Sequence, residues 1–165
     1  MIVIDASAMV EALVGRDADE GLLQALSGDL DAPHLLDVEV LSVLRGLLLG
    51  GKLVREVAEQ ARRDHFAFTI TRHETAPLAE RVWQLRHQFT SYDASYLALA
   101  EALQAPLWTC DAKLATNGHN AEVHLIQTSC TSHGEPRSRT CESSRGEPFL
   151  TVPEGHVWCT PPQRT

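Results

Sequence analysis

Short apolar runs alternate with helical segments along the first 128 residues, and this alternation constrains the fold more than any other feature of the chain. Ile2-Val3-Ile4 is a strand-like run that stops at Asp5. Its continuous apolarity suits a strand buried on both faces of a parallel sheet. Helical character follows over Ala6–Val14 and Asp17–Leu26, ended by Gly15 and Gly28. A short strand is expected just before the break at Ala32-Pro33-His34. Helices are then predicted over Leu35–Leu49, closed by Gly50-Gly51, and over Lys52–His65, with a strand over Phe66–Ile70. Glu74–Gln88 reads as a helix with Pro77 in its first turn, and Ser91–Leu103 as a helix opened by a Ser/Asp cap region. Strands are expected again at Pro106–Thr109 and Val123–Ile126. Strands separated by helices imply a three-layer α/β/α sandwich around a central, mostly parallel sheet.

Composition divides the chain near Ser129. Of 14 Lys+Arg and 22 Asp+Glu, ten and eighteen lie in residues 1–128, so the net charge of −8 resides there and the remainder is neutral. The segment 129–165 carries five of the eight prolines and three of the four cysteines, Cys130, Cys141 and Cys159. Most of it lacks apolar periodicity, with one short strand conceivable at Phe149–Val152. The expected organisation is a domain over 1–128 and an irregular, disordered or loosely docked tail over 129–165. The three tail cysteines lack the C-x2-C pair usual for zinc. Cys110 reads as a small buried hydrophobe.

Several classes are excluded. No apolar run reaches the roughly 18 residues of a membrane span, and Asp5 interrupts the N-terminal run too early for a signal peptide. A cytoplasmic protein is expected. The acidic balance disfavours binding nucleic acid through bulk positive charge, but not acting on it through bound metal.

Four acids stand out. Asp5 and Asp111 follow strands, where parallel α/β sheets bind ligands. Glu39 lies between Val38 and Val40, and Asp93 precedes a nearly unbroken run of small and apolar residues. Carboxylates in such company are costly unless paired, hydrogen-bonded or bound to metal. Four together would repel one another, and Mg²⁺ or Mn²⁺ would relieve that repulsion through oxygen ligands. Each also has a plainer reading: Asp5 and Asp93 as helix caps, Glu39 as a solvent-facing residue, Asp111 as a turn residue. Ser7 is placed to orient the Asp5 carboxylate or to cap the first helix.

The segments around these acids resemble the four motifs of PIN domains, especially the VapC-type toxins of bacterial toxin–antitoxin pairs. They are Met1-Ile-Val-Ile-Asp5-Ala-Ser7-Ala, Pro33 through Glu39 to Arg45, Ser91-Tyr-Asp93 through Glu101, and Trp108-Thr109-Cys110-Asp111-Ala-Lys113-Leu114-Ala. All four occur in order within residues 1–128. The resemblance implies an acidic pocket in which Asp5, Glu39, Asp93 and Asp111 match the family's metal-binding acids. It further implies Mg²⁺- or Mn²⁺-dependent endoribonuclease activity on tRNA or ribosomal RNA, a cognate antitoxin that silences the pocket, and a homodimer.

Because RNA is a polyanion, local cations must guide it to so acidic a chain. Arg45, Arg86, His87 and Lys113 are the candidates for phosphate contacts, against a plainer role as solvated surface cations. Trp83, Tyr92, Tyr96 and Trp108 could stack on bases, although their apolar spacing favours the core. The Leu-rich 35–49 segment is apolar on most faces, so burial on most faces is expected, with a subunit or antitoxin contact as a further use. Phosphotransferases of the haloacid dehalogenase type would need an Asp at Ser7, and receiver domains a Lys on a strand. A PIN-fold module that binds RNA or protein without cutting is the remaining alternative, and four intact acids argue against it.

Overall fold

A computed structural model describes residues 1–15 and 18–126. The tail over 129–165, with the conceivable strand at 149–152 and the three tail cysteines, lies outside the described residues.

Five parallel strands form one sheet: β1 (Ile2–Ile4), β2 (Leu30–Pro33), β3 (Ile70–His73), β4 (Leu107–Thr109) and β5 (Val123–Leu125), in the spatial order β3-β2-β1-β4-β5. The chain steps outward from β1 to β2 to β3, then returns to the other side of β1 for β4 and β5. The reversal falls between β1 and β4, the position where open parallel sheets bind ligands beyond their carboxyl ends. Asp5 and Asp111 follow these two strands.

Among the described residues six α-helices cover the sheet: α1 (Ala6–Val14), α2 (Glu20–Ala25), α3 (Leu36–Leu49), α4 (Arg55–Ala67), α5 (Ala79–Gln84) and α6 (Ser91–Leu103). Right-handed crossovers put α1–α4, which connect strands moving one way, on one face, and α5–α6, which connect the return, on the other. In accord with this, α1 packs on α3 and α4, while α5 packs on α6 and α6 lies against β1 and β2. The core is continuous through both layers, with Val3, Ile4, Met9, Leu22, Leu36, Val40, Leu97 and Leu107 fully buried.

Local chemistry sets most element ends. Asp5 caps α1 by accepting from Ala8 N at 2.8 Å, Asp19 caps α2 through Leu22 N, and Thr90 caps α6 through Asp93 N at 3.2 Å. α6 is buried from Ala94 to Ala100 on every side, as its small and apolar sequence requires.

Four expectations are corrected. The strand expected over Phe66–Ile70 is instead the end of α4 followed by β3. Phe68 N still donates to Asp64 O and His65 O, and the run that pairs with β2 begins only at Ile70. Two-residue alternation at 66–70 resembled a strand, but Phe66 faces solvent and His65 is fully buried. The helix expected over Glu74–Gln88 shortens to a 3-10 turn at Ala76–Leu78 and α5, followed by turns. Pro77 occupies that 3-10 turn, ahead of α5. α3 buries only the row Leu36, Val40 and Leu44, leaving Val38 (67% exposed), Leu41 and Leu49 (68%) outside. Trp83 and Tyr92, expected in the core, are 66% and 60% exposed, because the buried positions near them are taken by Leu85, Phe89 and the α6 run from Ala94 to Ala100. No described helix is long and apolar enough to cross a membrane.

Candidate active site

The carboxyl ends of β1 and β4 bring together residues about a hundred positions apart. Asp5 is buried between them. Its Oδ1 accepts from Ser7 Oγ at 2.7 Å and from Ala8 N at 2.8 Å, and its Oδ2 accepts from Thr109 Oγ1 at 2.5 Å. Ser7 Oγ in turn accepts from Cys110 N at 2.8 Å, and Thr109 Oγ1 accepts from Asp111 N at 2.9 Å. Two hydroxyls thus clamp the Asp5 carboxylate and fasten the segment after β4 to the start of α1. Asp5 is cap and site residue at once. Thr109, fully buried, was not singled out from the sequence. Its position two residues before Asp111, at the end of a strand, was the available signal.

The other acids approach from separate elements. Glu39 lies in the first turn of α3, half-buried, and its Oε2 accepts from Tyr96 Oη at 2.6 Å. Asp93 lies in the first turn of α6, three residues before Tyr96, so both project from the same side of that helix. Asp111 opens the 3-10 turn Ala112–Ala115 and is exposed. Tyr96 is 3% exposed, so its ring belongs to the core and only its hydroxyl serves the site. The ring's apolar spacing is legible in the sequence, whereas the contact of its hydroxyl with Glu39 is not.

Electrostatics ties the four acids together. Burial pushes the Asp5 carboxyl above its ordinary range, its hydrogen bonds pull it back, and the charge of Asp111 pushes it further up. Burial likewise raises Glu39 against the opposing Tyr96 bond, and the charges of Asp5 and Asp93 add to the rise. Burial and Glu39 together hold the Tyr96 phenol well above its usual value, so it remains a donor. The Cys110 thiol is pushed up to about 11 by burial and by Asp5 and Glu11, which keeps it from acting as a thiolate nucleophile near neutral pH.

Of the four candidate cations, only Lys113 touches an acid of the site: its Nζ stands 2.9 Å from Asp93 Oδ2. Arg86 lies over the ring of Trp83, 5.1 Å from its centroid, and donates to Trp83 O. His87 and Arg45 are exposed, Arg45 on α3. Trp108 is partly buried and stacks on His124 at 4.2 Å.

In kind, this donor set fits a hard divalent cation. It is all oxygen, it comes from four segments, and the mutual repulsion felt by Asp5 and Glu39 is what such a cation neutralises. In the side-chain positions observed, no three His, Cys, Asp or Glu groups among the described residues converge on one point. Each carboxylate is turned onto a protein donor instead: Asp5 onto Ser7, Ala8 and Thr109, Glu39 onto Tyr96, Asp93 onto Lys113 Nζ, and Asp111 onto Lys113 N.

A PIN-domain family model matches residues 2–119. Among proteins of similar sequence, ribonuclease VapC1 of Mycobacterium tuberculosis (strain ATCC 25618 / H37Rv) is 42% identical over 130 residues, covering 76% of this chain and 97% of that protein. Ribonuclease VapC12 of the same strain is 36% identical over 137 residues, covering 76% and 99%. Among solved structures, M. tuberculosis VapC20, described as a sarcin-ricin loop cleaving toxin, superposes with a TM-score of 0.54 at 15% identity, over 73% of this chain and 97% of that one. This last likeness concerns the fold.

Proposed function

The chain belongs to the VapC ribonucleases of the PIN-domain family, and from that membership we propose that it is a toxin endoribonuclease that uses Mg²⁺ or Mn²⁺ held by Asp5, Glu39, Asp93 and Asp111. Its substrate in this reading is structured RNA, tRNA or ribosomal RNA, and cleavage blocks translation in the cytoplasm. A cognate antitoxin restrains it. The observation that carries the reading is that acids from four chain segments act on one another in pairs at the sheet's reversal point, Asp111 on Asp5, and Asp5 and Asp93 on Glu39.

A divalent ion bound there supplies Lewis-acid activation of water and of the scissile phosphate. The chain's own residues prepare the site. Ser7 and Thr109 hold Asp5 in one orientation, which suits a direct ligand. Tyr96 fixes Glu39 through its hydroxyl. Asp111, the most open of the four, is placed to take a proton or to reach the ion through water. Arg86 and His87, on the turn that leads into α6, are the groups proposed to meet RNA phosphates, while Arg45 lies within the exposed row of α3. Residues 1–128 are taken as the nuclease domain. The exposed row Val38, Leu41 and Leu49 on α3 is taken as the surface that meets a second copy of the chain.

The test incubates the full chain with total RNA and Mg²⁺ or Mn²⁺, beside the same reaction with EDTA and beside Asp93→Asn. Discrete fragments from the wild type alone are expected. Fragments that persist with EDTA or with Asp93→Asn would reject the metal site. Intact RNA in every lane would favour a PIN-fold module that binds without cutting.

A further inference from the structure

Lys113 contacts two of the four acids through two different groups. Its backbone N–H donates to Asp111 Oδ1 at 2.9 Å, and its ammonium donates to Asp93 Oδ2 at 2.9 Å. The 3-10 turn that carries it is pinned by Leu114, 2% exposed, and by Thr116, whose hydroxyl donates to Lys113 O at 2.7 Å. The side chain therefore reaches across from the end of β4 to the start of α6 on an anchored base. Asp93 is 22% exposed and Lys113 37%, so the pair is shielded from solvent more than an ordinary surface contact.

We propose that Lys113 is the built-in counter-ion of the acidic site, occupying Asp93 in the metal-free protein and yielding it when a divalent cation enters. The inference rests on the reading of these acids as metal ligands. An ammonium and a divalent ion cannot both sit at hydrogen-bonding or ligand distance from the same carboxylate oxygen without strong repulsion. Metal entry at Asp93 Oδ2 therefore competes with the Lys113 bond. Until then, the lysine supplies one positive charge to a cluster in which Asp111 acts on Asp5, and Asp5 and Asp93 act on Glu39. Lys113 is thus a positioning residue that sets metal affinity: it steadies Asp93 and Asp111 and competes with an incoming ion.

The experiment titrates the full chain, stripped of metal, with Mn²⁺ by calorimetry, and records its thermal midpoint with and without Mn²⁺. Wild type is compared with Lys113→Met, Lys113→Gln, Lys113→Arg and Asp5→Asn. Lys113→Met and Lys113→Gln are expected to bind Mn²⁺ about fivefold more tightly or better, the scale of a partly shielded ion pair. Their metal-free forms should melt below wild type and gain more on adding Mn²⁺, while Lys113→Arg should follow wild type. Asp5→Asn should lose Mn²⁺ affinity about tenfold or more. If Asp5→Asn weakens binding but both neutral variants bind Mn²⁺ as wild type or more weakly, the counter-ion role is overturned while the metal site stands. If Asp5→Asn binds as wild type, or wild type binds no Mn²⁺, the metal-site reading falls and takes this inference with it.

Discussion

The Tyr96 hydroxyl donates to Glu39 Oε2 across 2.6 Å, joining α6 to the first turn of α3 between residues 57 positions apart. The phenol is buried and held protonated, so the bond always runs from tyrosine to carboxylate. Tyr96→Phe keeps the packing and removes only the donor. Thermal denaturation should show a loss of about 1 kcal/mol. RNA cleavage at saturating Mn²⁺ should fall about tenfold, because Glu39 is free to change rotamer. Unchanged cleavage would mean that Glu39 needs no such support.

Thr109 serves Asp5 and Asp111 with one hydroxyl. Thr109→Val leaves the shape and strips the donor from a buried carboxylate already destabilised by burial. A stability loss of about 1–3 kcal/mol is expected in urea denaturation. Thr109→Ser, which restores the hydroxyl, should recover most RNA cleavage. A valine variant as stable as wild type would show that Asp5 finds another donor.

Arg81 donates twice to Glu101, at 2.6 and 2.9 Å, and Asn120 N donates to the same carboxylate at 2.7 Å. The Arg81 hydrogen bonds, aided by Asn120, hold Glu101 below its ordinary value of 4.5. Between the lowered and the ordinary value the folded protein binds fewer protons than the unfolded chain. The pair's contribution is therefore complete above the ordinary value and is lost as pH falls through the lowered one. Glu101→Gln should melt at a lower temperature near neutral pH, and its midpoint should drop less than that of wild type on going from about pH 5 to about pH 3. Parallel pH curves for the two proteins would contradict this assignment.

On α3 the exposed positions Val38, Leu41 and Leu49 recur along one side of the helix, with Arg45 between them. An apolar row on one helix is self-complementary about a two-fold axis, which is how identical chains commonly pair. Light scattering should give the wild type a mass about twice that of the 18.1 kDa chain, and Val38→Glu with Leu41→Glu should halve it. A wild-type monomer would assign this row to another partner.

Much of this protein is legible in its amino-acid order alone. Ile2-Val3-Ile4 and Leu107-Trp108-Thr109 announce buried parallel strands, Asp5 and Asp111 follow them, and the small, apolar run that fills α6 begins directly after Asp93. These features are local. Side-chain periodicity, caps and strand-end acids act within a few residues, so spacing reveals them. Where two local patterns compete, as at Phe66–Ile70, the sequence is ambiguous. There the pairing of Ile70 through His73 with β2 decided which residues became strand. The exposure of Trp83 and of the second row of α3 was likewise decided by which neighbours took the buried sides. The site's fine structure depends most on the tertiary fold. Thr109 meets Asp5 across 104 positions, Tyr96 meets Glu39 across 57, and Lys113 meets Asp93 across 20. No local rule specifies such partners, because they are set by the order in which the strands join the sheet. The four acids were visible as residue types in a pattern. Apart from the Ser7 hydroxyl, which lies two residues from Asp5 in the sequence, which hydroxyl or ammonium each one faces was decided only when β1, β4, α3 and α6 came together.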